Sequence, residues 1–236
     1  FPKADGTYFG FDDEALLAVG DITGSPAHEI AILVNGFYYL ANNNSVAYLA
    51  LIDANGGFLP GWPTVIGNLQ SVNEFNLPNQ IAMGKLNGTS VIASNNNFQF
   101  NSYASYANKL YAYNAQGNLL PGWPVVSPSE LNAGPIIFST MGGASNSYLT
   151  IPYNNHLTAY TLNGSVFKDW QKENGALFPD SSPVSVMQGT TTILLMPGHL
   201  GSLYLYGFSS LVGGIVKDPP IVKNMNGSES GHPLIV

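Results

Sequence analysis

Chemistry in this 236-residue chain would have to rest on four histidines, 14 acidic residues and three tryptophans, because it has no Cys. The histidines are His28, His156, His199 and His232. None shares a local metal-ligand spacing such as i,i+4 on a helix. His156 and His199 each stand just before a predicted strand, in Asn155-His156-Leu157 and Gly198-His199-Leu200. Equivalent positions in neighbouring repeats would bring them to one rim as a metal or catalytic pair; the plainer reading is two loop histidines. Asp12-Asp13-Glu14 is the acidic cluster. Glycoside hydrolysis needs two carboxyl groups facing each other across about 5–9.5 Å, and this run reads more simply as a solvated turn. There is no Gly-x-Ser-x-Gly elbow, phosphate loop or dinucleotide fingerprint. Without Cys there is no thiolate nucleophile, disulfide framework or Cys-ligated zinc. No catalytic residue is therefore assigned. Trp62, Trp123 and Trp170 recur at one phase of a repeat. A sugar-stacking platform is one use of such residues, but a recurrent aromatic at fixed phase points to packing between repeats. Sequons occur at Asn43, Asn87, Asn163 and Asn226. Those at Asn87 and Asn163 fall at predicted hairpin tips and are expected to carry sugar if a glycosylating organism secretes the protein.

The elements that would position these residues form an internal repeat. Leu59-Pro60-Gly61-Trp62-Pro63 recurs as Leu120-Pro121-Gly122-Trp123-Pro124. Upstream, Leu49 to Leu59 (LALIDANGGFL) matches Leu110 to Leu120 (LYAYNAQGNLL). Alternating apolar residues around an Asx-bearing, Gly-bearing turn predict a hairpin. A third copy is Leu157 to Trp170, turning at Asn163-Gly164, and a weaker fourth is Leu203 to Val212. Each is preceded by a pair of predicted strands: 15–20 with 29–34, 80–84 with 90–94, 135–140 with 148–152, and 183–187 with 191–197. Four short strands in about 45–60 residues, repeated four times, is the pattern of β-propeller blades. The predicted fold is all-β, a single domain over 1–236. It is a β-propeller of four-stranded antiparallel blades, with four blades or as a fragment of a larger propeller. The blades fall at about 12–63, 78–125, 133–172 and 182–216. Residues 219–236, ending Pro233-Leu234-Ile235-Val236, read as a strand that closes the ring or is exchanged with a neighbour.

Ala15 to Leu33 (ALLAVGDITGSPAHEIAIL) resembles the opening of FG-GAP/VCBS-type propeller repeats, and Ala112 to Val125 is similar to the end of those and of PQQ-like repeats. The resemblance implies a propeller, secreted or surface-exposed, with a binding, adhesion or scaffolding role. It also implies Ca²⁺ in the loop of the first hairpin in some members. This chain departs from the pattern there. Asp21, Thr23, Ser25 and Glu29 give two carboxylates where tight calcium sites use more. Lys85 stands in the second repeat where Asp21 stands in the first. Asp21 and Glu29 are the calcium candidates, against an ordinary polar turn with Gly24 left-handed. No other cofactor is implied.

Composition narrows the setting. Charged residues are 9% of the chain, against about 25% in ordinary domains, with a net charge of -7. All seven basic residues are Lys. Nucleic acid needs clustered Lys/Arg, so it is excluded as a partner, and so is an anionic membrane surface. No apolar run is long enough for a membrane helix, while 45% hydrophobic residues exclude a disordered chain. Phe1-Pro2-Lys3-Ala4 reads as a mature N-terminus after signal removal, or as an excerpt. With so few charges, acid adds little self-repulsion, which suggests the acidic exterior of an acidophile. The expectation is an extracellular or cell-surface protein, structural or binding rather than enzymatic. It would meet a glycan, a protein or a like subunit, as in a filament, pilus or virion. The alternative is a secreted propeller glycoside hydrolase or lyase. A PQQ-like dehydrogenase is disfavoured by the lack of Arg to pair cofactor carboxylates.

Overall fold

The apolar residues of this chain alternate with small and polar ones over runs of five to nine residues, a spacing that suits strands rather than helices. The computed structural model describes residues 16–36, 44–70, 81–96, 109–126, 137–140, 147–153, 156–171, 184–188, 191–197, 202–209 and 221–224. Among these, every regular element is a strand. The first sheet holds β1 (Leu16–Gly20), β2 (Glu29–Gly36), β3 (Asn44–Ile52) and β4 (Thr64–Gln70). The second holds β5 (Ile81–Leu86), β6 (Thr89–Asn96), β7 (Lys109–Tyr113) and β8 (Val125–Val126). The third holds β9 (Ile137–Thr140), β10 (Ser147–Tyr153), β11 (His156–Tyr160) and β12 (Val166–Gln171). The fourth holds β13 (Val184–Gln188), β14 (Thr191–Pro197), β15 (Ser202–Ser209) and β16 (Ile221–Asn224). In each sheet the strands lie in chain order and pair antiparallel.

Period two decides which residues meet between sheets. Pairings such as Ala18↔Ala31 and Leu33↔Leu49 put Ala18, Ala31, Leu33, Leu49 and Leu51 on one face of the first sheet. They pack against Ile81, Met83, Ile92, Tyr111 and Tyr113 of the second. The opposite face of the second sheet carries Ala82, Val91, Ala93, Leu110 and Ala112, packed on Leu149, Ile151 and Tyr160 of the third. The second sheet is thus buried on both faces. Fully buried leucines such as Leu33, Leu49 and Leu110 each contribute about 1.5–3 kcal/mol over an exposed position. The first strands form the line of contact: β1 meets β5, β5 meets β9 and β9 meets β13.

Three sequence expectations need correction. In the first two repeats the strand after the Asx turn is not Phe58-Leu59 or Leu119-Leu120. Those residues make only the isolated bridges Ile52↔Phe58 and Tyr113↔Leu119. Proline cannot donate to a ladder, so β4 and β8 begin only past Pro63 and Pro124. In the third repeat Phe167-Lys168-Asp169 replaces Leu-Pro-Gly, and β12 starts directly after the turn, with Trp170 paired to Leu157. In the fourth, no hairpin forms over Leu203 to Val212. β15 runs unbroken through Gly207, which pairs with Ile193, and Ile221–Asn224 completes the sheet as β16. The fourth repeat therefore reaches into the segment expected to close or exchange. Pro233 to Val236, Asp12 to Glu14, Asn43, Asn226, His199 and His232 lie outside the described residues.

Candidate functional site

The recurring motifs build one structure, a loop of one sheet seated on a turn of the next. The turn comes first. Asp53 Oδ1 accepts the N–H groups of Asn55 at 2.8 Å and Gly57 at 2.9 Å. Asn114 Oδ1 does the same for Gln116 and Asn118, both at 3.0 Å. Asn163 Oδ1 accepts the Ser165 N–H at 3.3 Å and the Thr161 hydroxyl. Each turn is closed by a left-handed glycine, Gly56, Gly117 or Gly164, with φ of 81°, 74° and 76°. An Asx side chain that mimics the turn and a glycine free of Cβ strain are what this shape needs.

The loop is Leu-Pro-Gly-Trp-Pro. The Trp62 N–H donates to the Leu59 carbonyl and the Trp123 N–H to the Leu120 carbonyl, each at 3.1 Å. Trp62-Pro63 and Trp123-Pro124 are cis. Both indoles leave their own sheet. Trp62 Nε1 donates to the Ala115 carbonyl at 2.8 Å, and Trp123 Nε1 to the Leu162 carbonyl at 2.9 Å. Each ring also meets a tyrosine of the next sheet: Trp62 meets Tyr113 and Trp123 meets Tyr160, both at a centroid separation of 6.0 Å. The backbones touch as closely as glycine allows. A Cβ on Gly61 would collide with the Gln116 carbonyl, and one on Gly122 with the Asn163 carbonyl. The Trp62 and Trp123 indoles are buried and hold sheets together, so they present no stacking face to a sugar. The side chain of Trp170 lies outside the described residues.

The calcium candidates sit in the β1–β2 loop. Glu29 is 3% exposed. Its Oε2 accepts the Ile22 N–H at 2.8 Å and the Thr23 N–H at 3.4 Å, and its Oε1 accepts the Thr23 hydroxyl at 2.5 Å. Burial alone would push this carboxyl up. The hydrogen bonds from the Thr23 hydroxyl and from the Ile22 and Thr23 N–H groups outweigh burial and hold it below its ordinary value. Asp21 Oδ1 accepts the Gly24 N–H at 2.6 Å. Its Oδ2 lies 3.8 Å from Lys85 Nζ, so the residue that takes the place of Asp21 in the second repeat faces it across the sheets. Both carboxylates are engaged by the loop and its neighbour. Among the described residues no three His, Asp or Glu side chains converge to hold a metal.

Of the two described sequon residues, Asn163 is exposed at its hairpin tip. Asn87 is exposed too, with φ 50°, but its Oδ1 accepts the Ser147 N–H at 2.9 Å and its N–H donates to Ser147 Oγ at 2.8 Å. That link ties the second sheet to the third and has no local sequence signal. His28 is exposed in the β1–β2 loop, and His156 begins β11, paired with Gln171.

No family model matches the chain, and no curated protein does. A solved structure of a protein of unknown function from Bacteroides caccae is similar at 11% identity and a TM-score of 0.43, covering 85% of this chain and 71% of that one.

One groove remains. A cleft of about 300 Å³ is lined by Val125, Val126, Thr158, Tyr160, Val166 and Asp169. Among the described residues its carboxylate is Asp169, which accepts the Thr158 hydroxyl at 2.7 Å.

Proposed function

We propose that this protein is an extracellular structural or binding protein, of β-propeller type, that works through a rigid, low-charge surface. The observation that carries the reading is where the chemistry-bearing residues go. Trp62 and Trp123 seat one sheet on the next, and Asp21 and Glu29 hold a loop of their own chain. Among the described residues, exposed turn positions such as Asn55 and Asn163 offer a partner neutral hydrogen-bonding groups. Neutral hydrogen-bonding surfaces suit recognition of a glycan or a protein, or packing against like copies in a filament, better than acid–base catalysis. The all-β build of four-stranded sheets meeting through their first strands supports a propeller-type arrangement.

The test sets assembly or binding against turnover. Native material is expected to elute or image as an oligomer or filament, or to bind a glycan or protein surface, without cleaving polysaccharides. Cleavage of a polysaccharide that is lost on changing a single acidic residue would refute the reading.

A further inference from the structure

At an Asn-Gly step the backbone can attack the preceding side chain, because the glycine has no Cβ to screen its amide nitrogen. Among the described residues such steps begin at Asn35, Asn55, Asn87 and Asn163. Asn35 and Gly36 are held in the β2–β3 ladder, paired with Ala47 and Val46. Asn87 Oδ1 accepts the Ser147 N–H at 2.9 Å, which anchors its amide to the third sheet. Asn163 Oδ1 accepts the Thr161 hydroxyl at 2.5 Å and the Ser165 N–H at 3.3 Å. Asn55 holds the same place in its turn as Asn163. The Gly56 N–H donates to the Asp53 carbonyl and the Gly164 N–H to the Thr161 carbonyl, both at 3.0 Å, and the two glycines have φ of 81° and 76°. The backbones therefore match, and the side chains do not. In the Asn55 turn the first residue is a carboxylate, and Asp53 Oδ1 takes the Gly57 N–H, the counterpart of the Ser165 N–H. Among the described residues nothing hydrogen-bonds the Asn55 side-chain amide, and Asn55, Gly56 and Gly57 are all exposed.

We propose that Asn55 is a self-modification site, where the fold permits succinimide formation and deamidation that it restrains at Asn87 and Asn163. The Gly56 amide nitrogen gives its proton to a base in solution and attacks Asn55 Cγ. The new Cγ–N bond forms, the Cγ–Nδ2 bond breaks, and ammonia leaves with a proton returned from solution. Water then opens the ring at either carbonyl and leaves aspartate or isoaspartate at position 55. A water is consumed and an ammonia released, with no change of oxidation state. To close the ring, the side-chain amide must turn onto the backbone nitrogen. Asn55 turns without giving up a side-chain hydrogen bond, whereas Asn87 and Asn163 must break theirs. The product sets a second carboxylate close to Asp53. Its isoaspartate form also adds a methylene to the backbone that Asp53 Oδ1 spans to reach Gly57. A neutral position of the β3–β4 turn thereby becomes acidic as the protein ages. The inference goes beyond the proposed function and stands wherever the protein resides.

The experiment incubates the full chain in mildly alkaline buffer, digests samples over time and follows each Asn-Gly peptide by mass spectrometry. Exchange of amide for hydroxyl should appear first at Asn55, at least about tenfold faster than at Asn87 or Asn163, a ratio equal to about 1.4 kcal/mol in barrier. In concentrated urea, where the restraining hydrogen bonds are gone, the three rates should draw together. Thr161→Val removes the hydroxyl that holds Asn163 and should speed exchange there while leaving the Asn55 rate unchanged. If that variant does not fold, the comparison of folded with urea-unfolded parent decides alone. The inference is overturned if Asn55 reacts no faster than Asn87 and Asn163 in the folded chain, if its lead persists undiminished in urea, or if folded Thr161→Val exchanges no faster at Asn163 than the parent.

Discussion

Replacing Gly117 by Ala, and separately Gly56 by Ala, distinguishes a seated turn from a bare one within a single chain. Both glycines are left-handed, at φ 74° and 81°, so each Ala bears the same backbone cost, about 1–2 kcal/mol. At Gly56 the cost should stop there, because no described residue stands within 4 Å of the new methyl. At Gly117 the methyl would overlap the Gly61 carbonyl oxygen, with its carbon at 3.1 Å. That carbonyl belongs to backbone with no side-chain play, so the loop must lift. Lifting it breaks the Trp62 Nε1 bond to Ala115 and the Trp62–Tyr113 edge contact. The bond is worth about 0.5–1.5 kcal/mol and the aromatic contact about as much again. Gly117→Ala should therefore cost about 1–3 kcal/mol more than Gly56→Ala, or several degrees in Tm for a chain of this size. Urea unfolding followed by tryptophan fluorescence reads the difference as a shift in midpoint at constant slope. Equal destabilisation by the two substitutions would refute the docking of loop on turn.

Three further outcomes follow from the same contacts. Trp123→Phe keeps an aromatic ring but removes the donor to Leu162, and should cost about 1–2 kcal/mol in the same unfolding assay; no change would mean the indole N–H is satisfied otherwise. Glu29→Gln should cost about 1–3 kcal/mol at neutral pH by weakening the bonds to Ile22 and Thr23. Because the folded carboxyl titrates below its ordinary 4.5, its stabilisation is present above that value and is lost as pH falls through the lower folded one. The parent's melting temperature should thus drop on the acid side more steeply than that of Glu29→Gln, and parallel curves would contradict this. Millimolar Ca²⁺ should leave melting unchanged to within about 2 °C, since Asp21 and Glu29 already serve N–H groups; a larger rise would restore the calcium reading.

The strands and Asx turns were legible because their signals are local. Alternation over Leu16–Gly20 and Glu29–Gly36 needs only period two, and Asn163-Gly164 carries both the side chain and the φ that its turn demands. The packing role of Trp62 and Trp123 was legible from recurrence alone. What was not legible depends on distant partners. Nothing near Asn87 announces Ser147, 60 residues away, or tells Trp62 to reach Ala115. Leu203 to Val212 reads as a weaker copy of the repeat, yet the pairing of Gly207 with Ile193 keeps its strand unbroken. By type and spacing Glu29 reads as a metal ligand. Only its burial among the Ile22 and Thr23 donors identifies it as the peg of its own loop.

The indole contacts also have an order in time. The two described indoles reach forward along the chain, Trp62 by 53 residues to Ala115 and Trp123 by 39 to Leu162. At a synthesis rate of about 5–20 residues per second, each loop emerges from the ribosome some seconds before its acceptor exists. During that interval the nascent chain presents an uncovered indole and an uncovered sheet face, and every newly made unit relieves the one before it. Growth of the polypeptide therefore completes its own interfaces in sequence, from the N-terminal side onward.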